Sequence, residues 1–172
     1  MSMTDDDHLY RRGVGVMLLN REGKVFVAAR IDNPNDAWQM PQGGMDEGED
    51  PWATALRELE EETGIRAHLV ERIAQCPEQL RYDIPQEWRP RVWGGKWTGQ
   101  TQHWFLARFL GEDRDIDLAA GVHPEFRDWK WIEPERLPEV IVPFKRPLYE
   151  RLLEDFSPWL GRSADEGREP IG

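Results

Sequence analysis

The chain has 172 residues, and its 22 Lys and Arg against 33 Asp and Glu give a net charge of −11. This length suits one domain with its own core, and the acidity argues against a nucleic-acid coat or a binder of anionic membranes, because both need basic surface. The single cysteine excludes a disulfide framework and a cysteine zinc cluster. The acidic N-terminus lacks the features of a signal peptide and no apolar run approaches a membrane span, so we expect a soluble, cytoplasmic protein.

The N-terminal part of the chain predicts an arm followed by a β-hairpin. Residues 1–9 are acidic and polar and are interpreted as a flexible arm. Apolar runs at Val14–Leu19 and Val25–Ala29 flank a short segment of turn-forming residues, which favours two antiparallel strands. A loop is predicted at 33–36, and a further short strand at Trp38–Met40.

The middle of the chain carries a well-marked helix. Asp50 is a favourable N-cap, Pro51 suits the first helical position and Gly64 suits the C-terminal end, so the helix is predicted to run to about Thr63. Further strands are predicted at Leu69–Ala74, Gln102–Leu110 and Phe126–Ile132, with an amphipathic closing helix at Pro147–Phe156.

A long segment rich in Pro, Gly, Trp and Arg, residues 83–100, separates two of these strands. An irregular loop of that length inside a compact domain is more often functional than idle. The polar residues 159–172 are expected to form a disordered tail. The order of elements therefore indicates one α+β domain over residues 10–158, with helices packed against a sheet.

Three carboxylates share one face of the predicted helix. Glu58, Glu61 and Glu62 lie close together around the helix axis, whereas Glu60 points to the opposite side. Like charges at this spacing repel one another, and a hard divalent cation removes that repulsion because it prefers carboxylate oxygens. A solvated acidic face is the alternative interpretation of this run on its own. The apolar stripe predicted to be buried consists of Trp52, Leu56 and Leu59.

The residues around these carboxylates match a known spacing. Gly43 is followed after five residues by Glu49 and, after seven more, by Arg57–Ile65 with the sequence RELEEETGI. This pattern reproduces every fixed position of the Nudix box, and the chain therefore resembles the Nudix hydrolases. The resemblance implies an α/β/α sandwich around a mixed β-sheet. It also implies the hydrolysis of a nucleoside diphosphate linked to another group.

The resemblance implies a catalytic metal site. Glu58, Glu61 and Glu62 are expected to hold a divalent cation, with Mg²⁺ as the expected ion, Mn²⁺ as the alternative and no organic cofactor. Glu125, just before the last predicted strand, matches a loop glutamate that related enzymes use near the metal. Whether the general base is Glu125 or Glu61 stays open, as does an additional ligand role for Glu125.

The resemblance also implies residues that support this site. Glu49 and Arg57 match the structural ion pair of the family, which holds the loop before the helix against it. Glycine is expected for reasons of backbone geometry, with at least one residue in a conformation that only glycine adopts cheaply, at Gly43, Gly44 and Gly64.

Outside the box, the resemblance extends from Tyr10 to Phe156. It points to the branch of the family that contains bacterial RNA pyrophosphohydrolase and the dinucleoside polyphosphate hydrolases of plants and bacteria. Arg30 and Phe144 match residues that hold a nucleotide base between a guanidinium plane and an aromatic face. Three basic residues are the candidate phosphate contacts: Arg11, Arg81 and Lys145.

The tryptophans fall into two groups. Trp88, Trp93 and Trp97 lie in the irregular segment among basic residues, and they either stack on a base or pin the loop. The strand tryptophans are expected to be core or packing residues: Trp104, Trp129 and Trp131.

We therefore predict metal-dependent hydrolysis of a phosphoanhydride, namely removal of pyrophosphate from the 5′-triphosphate end of RNA. The product is 5′-monophosphate RNA, so the activity promotes mRNA decay. The alternative substrate is diadenosine tetraphosphate, cut asymmetrically into ATP and AMP, because the segment Trp93–Gln100 is more similar to that group. A non-catalytic nucleotide-binding module is disfavoured because none of the box glutamates is missing. The expected partner is an RNA 5′ end or a nucleotide, with neither DNA nor a membrane involved.

Overall fold

The computed structural model describes residues 7–32 and 37–160. They form strands β1 (Tyr10–Leu19), β2 (Val25–Arg30), β3 (Gln42–Gly44), β4 (Val70–Gln75), β5 (Leu80–Asp83), β6 (Gly99–Phe109) and β7 (Phe126–Ile132). The α-helices are α1 (Pro51–Thr63), α2 (Leu137–Val140) and α3 (Arg146–Asp155). None of the helices in these ranges is long and apolar enough to cross a membrane. The predicted loop at 33–36 and most of the predicted arm and tail lie outside the described residues.

These strands build one mixed sheet. Its order is β4-β6-β1-β2-β7, with β3 paired to β1 and β5 paired to β6. The central strands β1 and β6 run parallel, from the pair Tyr10–Gly99 to the pair Leu19–Arg108, and the other pairings are antiparallel. The α+β class and the mixed sheet expected from the sequence are therefore confirmed.

Alternating side chains give the sheet a core on each face. Along β1, Val14, Val16 and Leu18 pack with α1, whereas Met17 and Leu19 pack with α2 and α3. Strands β2 and β6 divide their apolar residues between the same two cores, because successive side chains of a strand point to opposite faces. Helices thus cover both faces, as the α/β/α sandwich requires.

The hairpin and the capped helix are present as predicted. Strands β1 and β2 pair antiparallel at Leu19 and Val25. At the start of α1, the Asp50 carboxylate accepts a hydrogen bond from the backbone amide of Ala53 at 2.9 Å. At its end, Gly64 has a φ of 74°, in the left-handed region that favours glycine.

The prediction of a strand at Trp38–Met40 was wrong. Within it, the backbone amide of Trp38 donates to the carbonyl of Val140 in α2, and Gln39 makes a single bridge to Ala28. The continuous pairing starts after Pro41, where β3 lies against the first half of β1. The elements β5 and α2 were not predicted, because four residues are too few to show a period.

The central strands change partners along their length. The first half of β1 pairs with β3, and the first half of β6 pairs with β5. Since β1 and β6 are parallel and in register, β3 and β5 lie at the same end of the sheet. Residues from these short strands therefore meet α1 and the loops at that end.

Candidate active site

The three predicted metal-binding glutamates lie on one side of α1 but differ strongly in burial. The side chain of Glu61 is 57% exposed and that of Glu58 is 18% exposed, whereas Glu62 is only 3% exposed. The three side chains share one side of α1, as the helical spacing predicts. That side is packed against the body of the protein, which the spacing does not indicate.

The predicted buried stripe of α1 is only partly right. Leu59 is fully buried, but Trp52 and Leu56 keep part of their surface exposed. Several smaller or polar residues are buried instead, namely Thr54, Ala55, Glu62 and Thr63. The reason is that β1 and β3 pack against α1, which moves the buried arc towards the glutamates.

Burial and mutual repulsion raise the pKa values of Glu58 and Glu62. The pKa of Glu58 rises from its ordinary 4.5 to about 7, because burial disfavours the charged form and Glu61 adds repulsion. The pKa of Glu62 is raised well above its ordinary range by burial and by the charges of Glu125 and Glu58. Its Oε2 atom is buried without a hydrogen-bond partner. A buried carboxylate oxygen without a partner fits the binding of a cation.

These carboxylates do not enclose a metal ion by themselves. In the described part of the chain, no three side chains among His, Cys, Asp and Glu form a group that could hold one. Hard cations such as Mg²⁺ usually take only one or two carboxylates and complete their coordination with water and substrate phosphates. The orphaned Glu62 oxygen and the clustered negative charge therefore fit such an open site.

Arg57 connects the glutamates to the preceding loop. Its guanidinium lies 3.4 Å from Glu49 Oε2 and 3.4 Å from Glu58 Oε1, and its Nε is 4.0 Å from Glu61 Oε1. Glu49 Oε1 also accepts from the backbone amide of Asp46 at 2.6 Å. The predicted contact between Glu49 and Arg57 is thus present. Because Arg57 is half-exposed, its contribution lies in placing these groups more than in stability.

Two box glycines permit close contacts to β3. A Cβ at Gly43 would collide with the carboxyl group of Glu58, and a Cβ at Gly44 would collide with the guanidinium of Arg11. Both lie in a strand, so the requirement is space and not an unusual backbone conformation. Of Gly43, Gly44 and Gly64, only Gly64 has the positive φ that glycine adopts more easily than other residues.

The loop before β7 forms the other wall of the site. A cavity of about 280 Å³ is lined by Glu61 and Glu62 on one side and by Glu125, His123 and the preceding Gly121–Val122 on the other. The carbonyl oxygen of Glu125 accepts from the backbone amide of Ile31 at 2.8 Å, which ties this loop to the end of β2. The structure therefore brings Glu125 to the helix glutamates, as expected.

Arg30 stands at the end of β2 beside this wall. Two hydrogen bonds to Asp32, at 2.8 and 2.9 Å, fix the plane of its guanidinium. The same bonds raise the pKa of Arg30, with smaller contributions from Glu125 and Glu62. Arg30 is therefore a fixed positive charge close to the carboxylates.

Lys145 and Phe144 lie on a second side of the site, just before α3. Lys145 is buried, with its Nζ 4.8 Å from the ring centroid of Tyr82. Burial, followed by the charge of Arg30, lowers the pKa of Lys145 to about 7, while Glu62 opposes the shift. The ring of Phe144 is half-buried, 6.0 Å from that of Tyr82 and 5.3 Å, edge-on, from that of Trp88.

Tyr82 is a site residue that the sequence reasoning missed. It lies on the inward face of β5, next to Phe144 and Lys145. The signal was the alternation in Leu80–Asp83, in which Leu80 and Tyr82 are buried and the residues between and after them are exposed.

The predicted phosphate contact Arg81 also lies on β5. Its side chain is on the opposite face of the strand from Tyr82, with its guanidinium 3.9 Å from the ring centroid of Tyr10 and its Nε donating to Thr101 at 3.2 Å. Arg11, in contrast, lies over Gly44 and 4.8 Å from the ring centroid of Trp93.

The tryptophans of residues 83–100 contact neighbouring side chains. Trp88 packs on Phe144, Trp93 on Arg11, and Trp97 lies under the ammonium group of Lys96. These contacts favour the interpretation that they pin the loop. The strand tryptophans pack as expected, with Trp104 fully buried and the other two against Phe26.

Comparison with known proteins identifies the family of this chain and agrees with the fold. The NUDIX domain model matches residues 9–152, so the chain belongs to the Nudix hydrolase family. It is 56% identical over 156 residues to a protein of Erythrobacter litoralis named RNA pyrophosphohydrolase, covering 90% of this chain and 95% of that one. It is 54% identical to a protein of the same name from Sphingopyxis alaskensis, covering 91% of this chain and 99% of that one.

Solved structures share the fold. The E. coli dihydroneopterin triphosphate pyrophosphohydrolase matches with a TM-score of 0.65 and 25% identity, covering 85% of this chain and 98% of that chain. A C. elegans Ap4A hydrolase matches with a TM-score of 0.62 and 21% identity, covering 87% of this chain and 99% of that chain. At this identity the likeness concerns the fold alone.

Proposed function

We propose that this Nudix hydrolase removes pyrophosphate from the 5′-triphosphate end of RNA and leaves 5′-monophosphate RNA. The observation that carries the proposal is that negatively charged and positively charged side chains face each other across one site. A carboxylate cluster with an unpaired buried oxygen at Glu62 faces two cations, Arg30 and Lys145, next to the aromatic ring of Phe144. That combination suits a metal-bound polyphosphate attached to a base. The name shared by relatives at 56% and 54% identity supports the choice of RNA as substrate.

Glu58, Glu61 and Glu62 are the residues that would hold the cation, for which we propose Mg²⁺, with Mn²⁺ as the alternative. When bound, the cation neutralises charge on the phosphoanhydride and polarises it as a Lewis acid. Arg57 positions Glu58 and Glu61 from one side, and its contact with Glu49 fixes the loop before the helix. Lysine and arginine are the usual protein contacts for phosphate oxygens, and we assign that part to Lys145 and Arg11.

Hydrolysis also needs a placed water and a proton acceptor. In the proposed reaction the water oxygen attacks a phosphorus of the triphosphate, the bond between the α- and β-phosphates breaks, and pyrophosphate leaves. We assign the proton of the water to the carboxylate of Glu125, because it lines the cavity opposite Glu61 and Glu62. If Glu61 is the acceptor instead, Glu61→Gln will lower kcat more than Glu125→Gln under saturating metal.

The base next to the triphosphate would stack between Arg30 and Phe144. The two hydrogen bonds that Arg30 donates to Asp32 hold its guanidinium in one plane, and packing on Trp88 holds the Phe144 ring. A guanidinium and an aromatic ring both stack on bases without strong sequence preference. Arg81 is a further predicted phosphate contact, and its guanidinium packs on the ring of Tyr10.

The experiment that tests the proposal compares two substrates under the same conditions. Wild-type protein with Mg²⁺ is incubated with 5′-triphosphorylated RNA and with diadenosine tetraphosphate, and kcat/KM is measured for each. We expect RNA to be the better substrate and pyrophosphate to be released from it. A larger kcat/KM for diadenosine tetraphosphate, with ATP and AMP as products, would refute the RNA assignment. Full activity in the presence of a chelator of divalent cations would refute the metal site. The 5′-triphosphate ends of RNA belong to newly made transcripts. We therefore propose that the activity is cytoplasmic.

A further inference from the structure

A buried network of glutamine side chains lies beneath the glutamate cluster, at the start of β6. Gln102 is 0% exposed and its amide nitrogen donates to Gln42 Oε1 at 3.0 Å and to Gln100 Oε1 at 3.1 Å. Its own Oε1 accepts from the indole of Trp104 at 2.9 Å. The hydroxyl of Tyr82 completes the group by donating to Gln100 Oε1 at 3.0 Å.

One end of this network is fixed in the core. Trp104 is fully buried, packs edge-on against Tyr149 at 6.2 Å between ring centroids, and lies against Gly15 of β1. Its indole therefore has little freedom, and the acceptor oxygen of Gln102 is held with it. A buried amide without partners is costly, which holds Gln102 in the one orientation that satisfies both its oxygen and its nitrogen.

The other end of the network reaches the strand that supports the glutamates. Gln42 is the first residue of β3, and the next residue, Gly43, lies directly against the carboxyl group of Glu58. The backbone amide of Gln42 also donates a hydrogen bond to the carboxylate of Glu62, which partly offsets the rise in the pKa of Glu62. The bond from Gln102 thus holds the side chain of Gln42, in the strand that contacts two of the three predicted metal-binding glutamates, Glu58 and Glu62.

We propose that Gln102 is a positioning residue that holds Glu58 and Glu62 in place for a divalent cation through Gln42 and β3. The inference rests on the metal site of the proposed function. Residues that hydrogen-bond to metal ligands hold those ligands in the correct orientation. Their removal typically lowers metal affinity or activity by about tenfold to a hundredfold. Gln102 contacts neither metal nor substrate in this scheme.

The test measures cation binding without substrate. Mn²⁺ is titrated into the metal-free full-length protein by calorimetry, for wild type, Gln102→Leu and Gln42→Leu. We expect each variant to bind Mn²⁺ about tenfold more weakly. The double variant should be no weaker than the worse single variant, because both substitutions break the same bond. In RNA hydrolysis, kcat at low Mn²⁺ should fall about tenfold and recover at high Mn²⁺, while KM for RNA stays unchanged.

Two controls separate positioning from general destabilisation and from failure of the metal site. Leu106 lies on the same face of β6 and is fully buried, and Leu106→Ala damages the core without removing a hydrogen bond of the network, so its Mn²⁺ affinity should equal that of wild type. Glu62→Gln should weaken Mn²⁺ binding whatever Gln102 does.

The outcomes are distinguishable. If Glu62→Gln weakens Mn²⁺ binding but both glutamine variants bind like wild type, or if Leu106→Ala weakens it equally, the positioning role is refuted and the metal site stands. If Glu62→Gln binds Mn²⁺ like wild type, the metal site of the proposed function is refuted. If Gln102→Leu does not fold, Gln42→Leu decides alone, because Gln42 lies in the three-residue strand β3 and is only half-buried.

Discussion

Replacement of Glu58 by Gln should raise stability and destroy activity. The Glu58 side chain is only 18% exposed and faces Glu61, so its negative charge is unfavourable in the metal-free protein. In the proposed function, catalysis nevertheless needs that charge to hold the cation. A residue with a purely structural role would lose both properties together, so opposite signs are the mark of a functional carboxylate.

The effect on stability follows from the pKa of Glu58, which rises from 4.5 to about 7 on folding. For a fully buried carboxyl this rise would correspond to about 3 kcal/mol, and solvent contact reduces our expectation to about 1–2 kcal/mol. The folded chain binds this proton more tightly than the unfolded chain does. The free energy of unfolding therefore falls as the pH rises from about 4.5 to about 7 and stays lower above that range.

Urea unfolding in the presence of a chelator tests this expectation at pH 4.5 and pH 8. At pH 8 Glu58→Gln should be more stable than wild type by about 1–2 kcal/mol, and near pH 4.5 the two should agree. With Mg²⁺, its kcat on triphosphorylated RNA should fall at least about a hundredfold, the scale of losing one preorganised charged group.

Glu60→Gln is the matched control. Glu60 lies on the same helix and is exposed, and the cavity that it lines does not include Glu58, Glu62 or Glu125. Its replacement should therefore change neither kcat nor the free energy of unfolding by much. Comparable losses of activity at Glu58 and Glu60 would refute the assignment of the catalytic face. Lower stability of Glu58→Gln at pH 8 would refute the electrostatic reasoning.

Three further predictions concern the substrate side and the helix end. Phe144→Ala should cost about 1–3 kcal/mol in binding of triphosphorylated RNA, seen as lower kcat/KM, and should hardly affect a free nucleoside triphosphate; an equal fall on both substrates would make Phe144 a packing residue. Because the pKa of Lys145 is about 7 and only its protonated form attracts phosphate, KM for RNA should rise as the pH increases above 7. Lys145→Met should flatten that profile, and an unchanged profile would exclude Lys145 as a phosphate contact. Gly64→Ala should lower the free energy of unfolding by about 1 kcal/mol or more, because its φ is 74° and a Cβ would crowd the carbonyl of Asp117; denaturation that matches wild type would contradict this strain.

Local features of the fold could be predicted from the sequence because their causes are local. The caps of α1 come from Asp50 and Gly64, and the strands β1 and β7 come from runs of apolar or alternating residues. The shared side of Glu58, Glu61 and Glu62 follows from helical geometry alone. The contact between Glu49 and Arg57 came from the family spacing, and the structure shows it at 3.4 Å.

The features that the sequence did not predict depend on pairing between distant segments. The strand at Trp38–Met40 looked favourable locally, but its backbone bonds to α2, and the pairing with β1 begins after Pro41. The register of β5 on β6 places Arg81 beside Tyr10 and Thr101. Neither arrangement has a signal within a few residues of the chain.

The sequence by itself determined the class of chemistry, because the type and spacing of the box residues specify a carboxylate cluster on a helix. Tertiary structure alone decided how that cluster is supported. Glu62 is buried because β3 and β1 pack against its side of α1, and Gln42 meets Gln102 although they are 60 residues apart. The periodicity of the sequence predicts the direction in which a side chain points from its own helix or strand. The residues that this side chain contacts depend on the register between strands, which is fixed only when the two cores and the sheet form together.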